Sequence, residues 1–380
     1  MTIPLARRLE GVDRTLIRRI FDSAPRGAIN FGLGQPDLPT VPSAALAGIH
    51  GIVEGRTSYT ATAGDPELRA AVAERYPGFA DGPSSVLVTV GTQEAMFVAC
   101  MALLDPGDEL LYPEPGYPAY PVVARLIGAT PVAYPVRMNR GFRVDPDDVV
   151  SRLTDRTRAA ILCSPSNPTG AAIEDADLRA IVQRLGQRGV PWLSDEIYAG
   201  LWYDEPIPAP WQIGKGGLVI SGLSKDASMT GWRIGWIAGA EATIARLNAV
   251  HQYLVTCAPS ISQRAAIAAL APAGRAEQDR YRTIFAERRR AMAARLDRIP
   301  RLAYSPPVGA FYFFVDVSAY GDSIGVAQRI LDRRGVITIP GEAFGPGGAG
   351  WLRLSYACDL ATIGEGMDRI AAELEAIASE

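Results

Sequence analysis

From residue 85 onward, short apolar runs alternate with stretches of helical periodicity, and this rhythm constrains the fold more than any other feature of the chain. Residues 85–90 read as a strand and 92–104 as a helix. Residues 109–112 (strand), 119–127 (helix), 131–134 and 159–163 (strands) follow. Residues 176–186 (helix), 191–194 and 218–221 (strands) complete the series. Strands separated by helices predict an α/β fold, a mainly parallel sheet sandwiched by helices on both faces. Ligands of such sheets sit beyond the carboxyl ends of the strands. The chemically suggestive motifs fall at those ends.

After Gly235 the texture changes. Residues 241–298 are long, helical, and rich in alanine and arginine. Residues 309–315 and 351–357 predict apolar strands, 324–333 a helix, 335–339 a run into a glycine-rich turn, and a last helix closes the chain. Near the start, residues 11–23 place apolar groups at helical spacing and 29–31 read as a short strand. We expect a smaller α+β domain built from both ends: an N-terminal segment (1–40), a large domain (41–272) and a C-terminal part (273–380). The last boundary rests on the Pro272-Ala273-Gly274 breaker.

The 380 residues are 48% hydrophobic and 21% charged, as in ordinary globular proteins. A net charge of −3 offers no general attraction to nucleic acid or to an anionic membrane. Cys100, Cys163, Cys257 and Cys358 are scattered, and with only two histidines they predict no metal site. No signal-peptide core or membrane-length apolar run occurs, so a cytoplasmic protein is the expectation.

The densest motif is Ser221-Gly222-Leu223-Ser224-Lys225, followed eight residues later by Arg233 between glycines. A lysine delivered by a strand into small residues can be desolvated, which lowers its pKa and makes an amine nucleophile. Arg233 offers a planar fork to a phosphate. Gly91-Thr92-Gln93 joins a strand to a helix, where backbone N–H groups and the helix dipole make an anion site without any nucleotide-binding loop pattern. Arg353 stands alone in an apolar strand, which is costly unless it meets an anion or a buried acidic partner. Other residues are open to two readings. Gly34 is a turn glycine with positive φ or a backbone approach to a ligand. Tyr59 and Tyr117 are structural tyrosines or ligand contacts. Asp195 is a helix N-cap or a buried acid, and Tyr198 is core or site. Asn167, set between prolines after a strand, is rigidly aimed. Asp65 before Pro66 predicts a helix start.

Taken together, Gly34-Gln35-Pro36-Asp37, Tyr59 with Gly64 and Leu68-Arg69, Asn167-Pro168-Thr169-Gly170, Asp195-Glu196-Ile197-Tyr198, the Lys225 segment and Arg353 resemble the fold-type I, pyridoxal 5'-phosphate (PLP) enzymes of the class I/II aminotransferase family. The resemblance runs from about Ile29 to Tyr356 with the motifs in family order. It implies a PLP-dependent aminotransferase that moves an α-amino group from an amino acid to a 2-keto acid, with the pyridoxamine form between half-reactions. It implies that Lys225 carries the cofactor, Asp195 faces its pyridine nitrogen, and Asn167 and Tyr198 contact its phenolic oxygen. Tyr117 would stack on the ring. Gly91, Thr92, Gln93, Ser224 and Arg233 would hold the phosphate. Tyr59 would reach the phosphate of a neighbouring subunit, which implies a homodimer. Arg353, Asn167 and Gly34 would hold the substrate carboxylate.

The chain departs from the family pattern at Gly222, where a phosphate-binding serine often stands, and no motif locates a second arginine for dicarboxylates. Lyases of the β/γ type, cyclases and oxidases share the same cofactor shell. A non-enzymatic regulator with this domain would also need a DNA-binding module. About 30 residues precede the first motif and they show no basic helix-turn-helix pattern.

Overall fold

The structure, a computed structural model, describes residues 3, 5–10 and 12–380. In chain order the first elements are α1 (Leu16–Ser23), β1 (Ile29–Asn30), α2 (Pro42–Val53) and α3 (Pro66–Ala73). The helix expected over 11–23 starts late because Thr15 caps it, accepting from the Arg18 N–H, and Gly11 lies outside the described residues. Asp65 caps α3 and Pro66 opens it, as the sequence predicts.

The alternating region gives β2 (Val86–Thr89), α4 (Gly91–Leu103), β3 (Glu109–Glu114), α5 (Ala119–Leu126), β4 (Thr130–Pro135), α6 (Pro146–Val150) and β5 (Thr157–Cys163). It continues through α7 (Asp175–Gln187), β6 (Trp192–Asp195), β7 (Gly217–Gly222) and β8 (Gly235–Ala238). These seven strands form one sheet in the order β2-β8-β7-β6-β5-β3-β4. All neighbours are parallel except β8, which runs against both β2 and β7. Successive residues of β7 serve opposite faces: Leu218 and Ile220 pack with α4 and α8 residues, Val219 with those of α7 and α9. Both faces are therefore covered, and the strands read as continuous apolar runs.

The remaining helices and strands are α8 (Glu241–Val255), α9 (Ser260–Leu270), α10 (Pro272–Leu296), β9 (Ala303–Tyr304), β10 (Tyr312–Asp316), α11 (Ser323–Arg334), β11 (Val336–Ile337), β12 (Ile339–Pro340), β13 (Trp351–Ser355) and α12 (Leu360–Ser379). A second sheet has the order β12-β13-β10-β9, all antiparallel. The strand expected to begin at Gly309 starts at Tyr312, because Ala310 adopts a left-handed φ of 57° that breaks the extended run. The Pro272-Ala273-Gly274 breaker is the first turn of the 25-residue helix α10, where proline fits without loss of a hydrogen bond.

The N-terminal segment joins this second layer. β1 pairs in parallel with β11, and buried Arg288 of α10 holds Asp37 through two bonds of 2.6 and 2.9 Å. The chain between Asn30 and Pro39 is thereby laid across the carboxyl ends of the large sheet, opposite Lys225.

Candidate active site

The sequence has two lysines, and they differ in every respect. Lys215 lies on the surface, 3.4 Å from Asp81. Lys225 follows β7 into a cavity of about 250 Å³ that also reaches Asp195, Asn167, Tyr198 and Arg233. Its Nζ donates to the Gly34 carbonyl oxygen at 2.6 Å. Desolvation lowers its pKa to about 8, helped by the positive charges of Arg353 and Arg233 and opposed by Asp195. The amine is consequently far more nucleophilic near neutral pH than an ordinary lysine.

Asp195 ends β6 and is buried. Its Oδ2 accepts from Tyr120 Oη at 2.7 Å and its Oδ1 from the Ile197 N–H at 3.2 Å. Burial raises its pKa, while both hydrogen bonds and the Lys225 charge pull the other way. A helix N-cap role does not describe it, because no helix of the fold begins there. Tyr198 is buried and shares a 2.7 Å bond with Tyr312 Oη, and desolvation keeps its phenol protonated.

At one end of the cavity α4 presents its N-terminus. Gly91 has φ 77°, and a Cβ there would lie 2.7 Å from an Arg233 nitrogen. Gly235 lets β8 pass equally close to the Gly91 carbonyl carbon and the Thr92 nitrogen. These two glycines bring the Arg233 guanidinium over the Gly91–Thr92–Gln93 turn, so N–H groups, helix dipole and guanidinium share one spot. Glu94 steadies this turn by accepting from the Val90 N–H at 2.5 Å and pairing with buried His251 at 2.7 Å. Ser224 lines the same cavity. Gly222 has a steric reason, since a Cβ would sit 2.8 Å from the Ile234 carbonyl oxygen and 3.0 Å from Gly235 Cα.

At the other end, a cavity of about 450 Å³ opens outward and shares Gln93, Tyr117, Asn167, Tyr198 and Lys225 with the first. Arg353 lies in it, buried in β13. It donates to Asn167 Oδ1 at 2.8 Å and to the Gly32 carbonyl at 2.5 Å, and its face rests on the rings of Tyr312 and Phe344 at 4.4 and 4.7 Å. Among the described residues it meets no carboxylate, so the buried-ion-pair reading fails, and its Nε has no partner. Tyr117 stands at the rim, its Oη donating to Gln93 Oε1 at 3.0 Å.

Gly34 does not need the positive φ expected of a turn glycine; it presents its carbonyl to Lys225 and lines the outer cavity together with Arg353. A side chain there would collide with Tyr312 Oη. Tyr59 lies apart from the residues lining either cavity and is 87% exposed, which removes the buried structural reading. Tyr120 and Tyr312 were not legible as site residues, each being one more aromatic in an apolar helix or strand. The only signal was a phenolic hydroxyl in an otherwise apolar segment, which when buried needs a partner. Among the described residues no group of three or more His, Cys, Asp or Glu is placed to hold a metal ion.

This geometry has counterparts in known proteins. The aminotransferase class I and II family matches residues 26–370. A bifunctional aspartate aminotransferase and glutamate/aspartate-prephenate aminotransferase of Petunia hybrida is 36% identical, covering 92% of this chain and 77% of its own. An arginine–pyruvate transaminase of Pseudomonas aeruginosa is 35% identical, covering 90% and 88%. The aspartate aminotransferase of Thermus thermophilus, solved with maleate, superposes with a TM-score of 0.92 at 30% identity, covering 98% of this chain and 100% of that one. The chain belongs to the class I and II aminotransferases, and its reaction is amino-acid transamination.

Proposed function

We propose that the chain works with PLP, held covalently by Lys225, to pass an α-amino group from an amino acid to a 2-keto acid. The observation that carries this reading is the Lys225–Asp195 pair. It sets a half-buried amine with a pKa of about 8 and a buried carboxylate in one cavity, between two cationic anion-binding ends. The cavity fits the cofactor's chemistry: an amine for its aldehyde, an acid for its ring nitrogen, and a helix N-terminus with Arg233 for its phosphate. When bound, PLP supplies a carbonyl that takes up the amino group and a ring that draws electrons from the substrate Cα.

The chain's residues would do the rest. Asp195, whose ionised form the Tyr120 hydrogen bond favours against its burial, would keep the proton on the ring nitrogen; inside a dry site that charge pair matters more than in water. Tyr198 and Asn167 would hold the phenolic oxygen, and Tyr117 would cover the ring. Ser224, Thr92, Gln93, the Gly91 turn and Arg233 would fix the phosphate. Arg353, pre-set by Asn167 and Gly32, would grip the substrate α-carboxylate, with Nε still free to donate. The Lys225 amine, once released, would take the proton from Cα as a general base. The test is single-turnover spectroscopy: an amino acid should convert the PLP form to the pyridoxamine form with release of a keto acid, and ammonia or peroxide release instead would contradict it.

We also infer a homodimer. α2 exposes Leu46, Ile49, Ile52 and Val53 at helical spacing, with Tyr59 projecting just beyond. An apolar stripe of this kind suits a second copy of the chain, and Tyr59 would then reach the partner's phosphate site. The division into N-terminal segment, large domain to 272 and C-terminal part belongs to the same reading. So does a cytoplasmic location, which four free cysteines fit. Among the described residues no helix is long and apolar enough to cross a membrane.

A further inference from the structure

Gly32 and Gly34 each give a backbone carbonyl to one charged side chain of the site. The Gly32 oxygen accepts from Arg353 at 2.5 Å and the Gly34 oxygen from Lys225 Nζ at 2.6 Å. One strap, residues 32–34, therefore sets the direction of both side chains. It lies in a stretch, residues 31–41, that forms no helix or strand, so contacts from outside must hold it. Upstream, Asn30 Oδ1 accepts from the Gly32 and Leu33 N–H groups at 3.0 and 2.9 Å, and the Phe31 carbonyl accepts from the Ser355 N–H at 2.7 Å. Among the described residues, the first hydrogen bonds downstream of Gly34 are those of the Arg288 fork on Asp37, at 2.6 and 2.9 Å. Arg288 is buried on α10, its guanidinium 5.4 Å from the centre of the Phe285 ring, so the fork is itself held. A two-bonded pair of this kind fixes orientation as well as distance. Each of these contacts is made within one chain and does not depend on a second subunit.

We infer, on the roles proposed above for Lys225 and Arg353, that Arg288 and Asp37 are positioning residues for proton transfer at the substrate Cα. They act through the strap: Asp37 fixes Gly34, and Gly34 aims the released Lys225 amine. A neutral amine that donates one N–H to the Gly34 carbonyl keeps its lone pair off that oxygen and free to accept a proton. In the transfer that lone pair forms the new N–H bond, and the electrons of the broken Cα–H bond pass to the cofactor ring. Without the carbonyl, the long stem of lysine samples several rotamers, and few of them bring the nitrogen within reach of Cα. A displacement of about 1 Å at such a base costs on the order of a hundredfold in rate. The Arg353 grip is less exposed to this loss, because Asn167 and the Asn30 turn hold that end of the strap independently.

Asp37→Asn keeps the size of the side chain and removes its charge, whereas Arg288→Lys keeps the charge and removes the fork. In the cofactor-free protein, amide hydrogen exchange over residues 30–39 should quicken about tenfold or more in both variants, with the large sheet unchanged. In the PLP-loaded enzyme, single-turnover rates are measured with glutamate, alanine and phenylalanine, each bearing hydrogen or deuterium at Cα, and counted per PLP bound at Lys225. The maximal rate should fall about tenfold, with a deuterium effect at least as large as in the wild type. The half-saturating concentration should rise by about threefold or less. The variant carrying both changes should be no slower than the slower single one. Maximal rates within about twofold of wild type, in variants whose 30–39 segment has loosened, would overturn the inference. Unchanged exchange would overturn it as well, and so would a slowed rate that has lost its deuterium effect, since another step would then be limiting. A wild type that reacts with none of the three amino acids would instead strike the proposed use of PLP at Lys225, a failure on which the exchange measurement does not depend.

Discussion

Tyr120 Oη donates to Asp195 Oδ2 at 2.7 Å, tying the helix after one sheet strand to the acid at the end of another. The bond favours the ionised carboxylate against a burial that disfavours it. Tyr120→Phe should therefore raise the Asp195 pKa. A hydrogen bond to a charged group contributes roughly 1.5–3 kcal/mol, so activity should fall about tenfold or more with the fold intact. The acid limb of the kcat/KM profile should move to higher pH. An unshifted limb with reduced activity would mean that Tyr120 only fills space.

Lys225 predicts a pH-dependent stability of the cofactor-free protein. Its pKa falls from 10.5 to about 8 on folding, so the folded state disfavours the ammonium. The penalty is complete below pH 8 and disappears as pH rises toward 10.5. Lys225→Met should accordingly stabilise the cofactor-free protein by on the order of 2–3 kcal/mol at pH 7 and by little at pH 10.5. Denaturant titrations at the two pH values check this. A gain that is equal at both would contradict the burial argument.

Arg353→Lys separates substrate grip from structural support. The ammonium cannot make two parallel bonds to a carboxylate. Turnover of amino acids should fall about tenfold to a hundredfold, while amines lacking a carboxylate, poor substrates already, should lose little more. Equal losses in both classes, accompanied by a lower melting temperature, would assign Arg353 to packing.

Gly222→Ser restores the residue type often found in the family at that place, and should do harm. Its Cβ would press on the Ile234 carbonyl and on Gly235, where β7 and β8 are closest. A loss of about 1–3 kcal/mol is expected, typical of overpacking. A variant as stable as wild type, with tighter cofactor binding, would show that the strands yield.

If Tyr59 serves a partner subunit, Tyr59→Ala should weaken cofactor retention although Lys225 is untouched. Dimers mixed from Tyr59→Ala and Lys225→Ala subunits should place both defects in one site and leave the other whole. An active monomer by light scattering would contradict the shared site.

Periodicity made six of the seven strands of the large sheet readable, because most of their residues are buried; β4, at the edge, is only partly buried, and β8 went unread because it follows β7 with no α-helix between them. The sites at strand ends followed from the same logic: Lys225, Asp195 and Asn167 all stand where β7, β6 and β5 stop. Tertiary contacts were not readable in this way. That Gly34 offers its carbonyl depends on the N-terminal segment crossing the sheet, which the Arg288–Asp37 bond fixes from 251 residues away. Tyr120 and Tyr312 looked like core because they are core in all but one atom. Gly222 was read as a missing ligand, when the backbone of a neighbouring strand occupies the space a side chain would need.

The most direct measurement is borohydride reduction of the PLP-loaded enzyme followed by peptide mass mapping. With two lysines in the chain, the outcome is close to binary. A stable adduct is expected on the peptide containing Lys225 and none in Lys225→Ala. An adduct on Lys215, or no adduct in an enzyme that still transaminates, would contradict it.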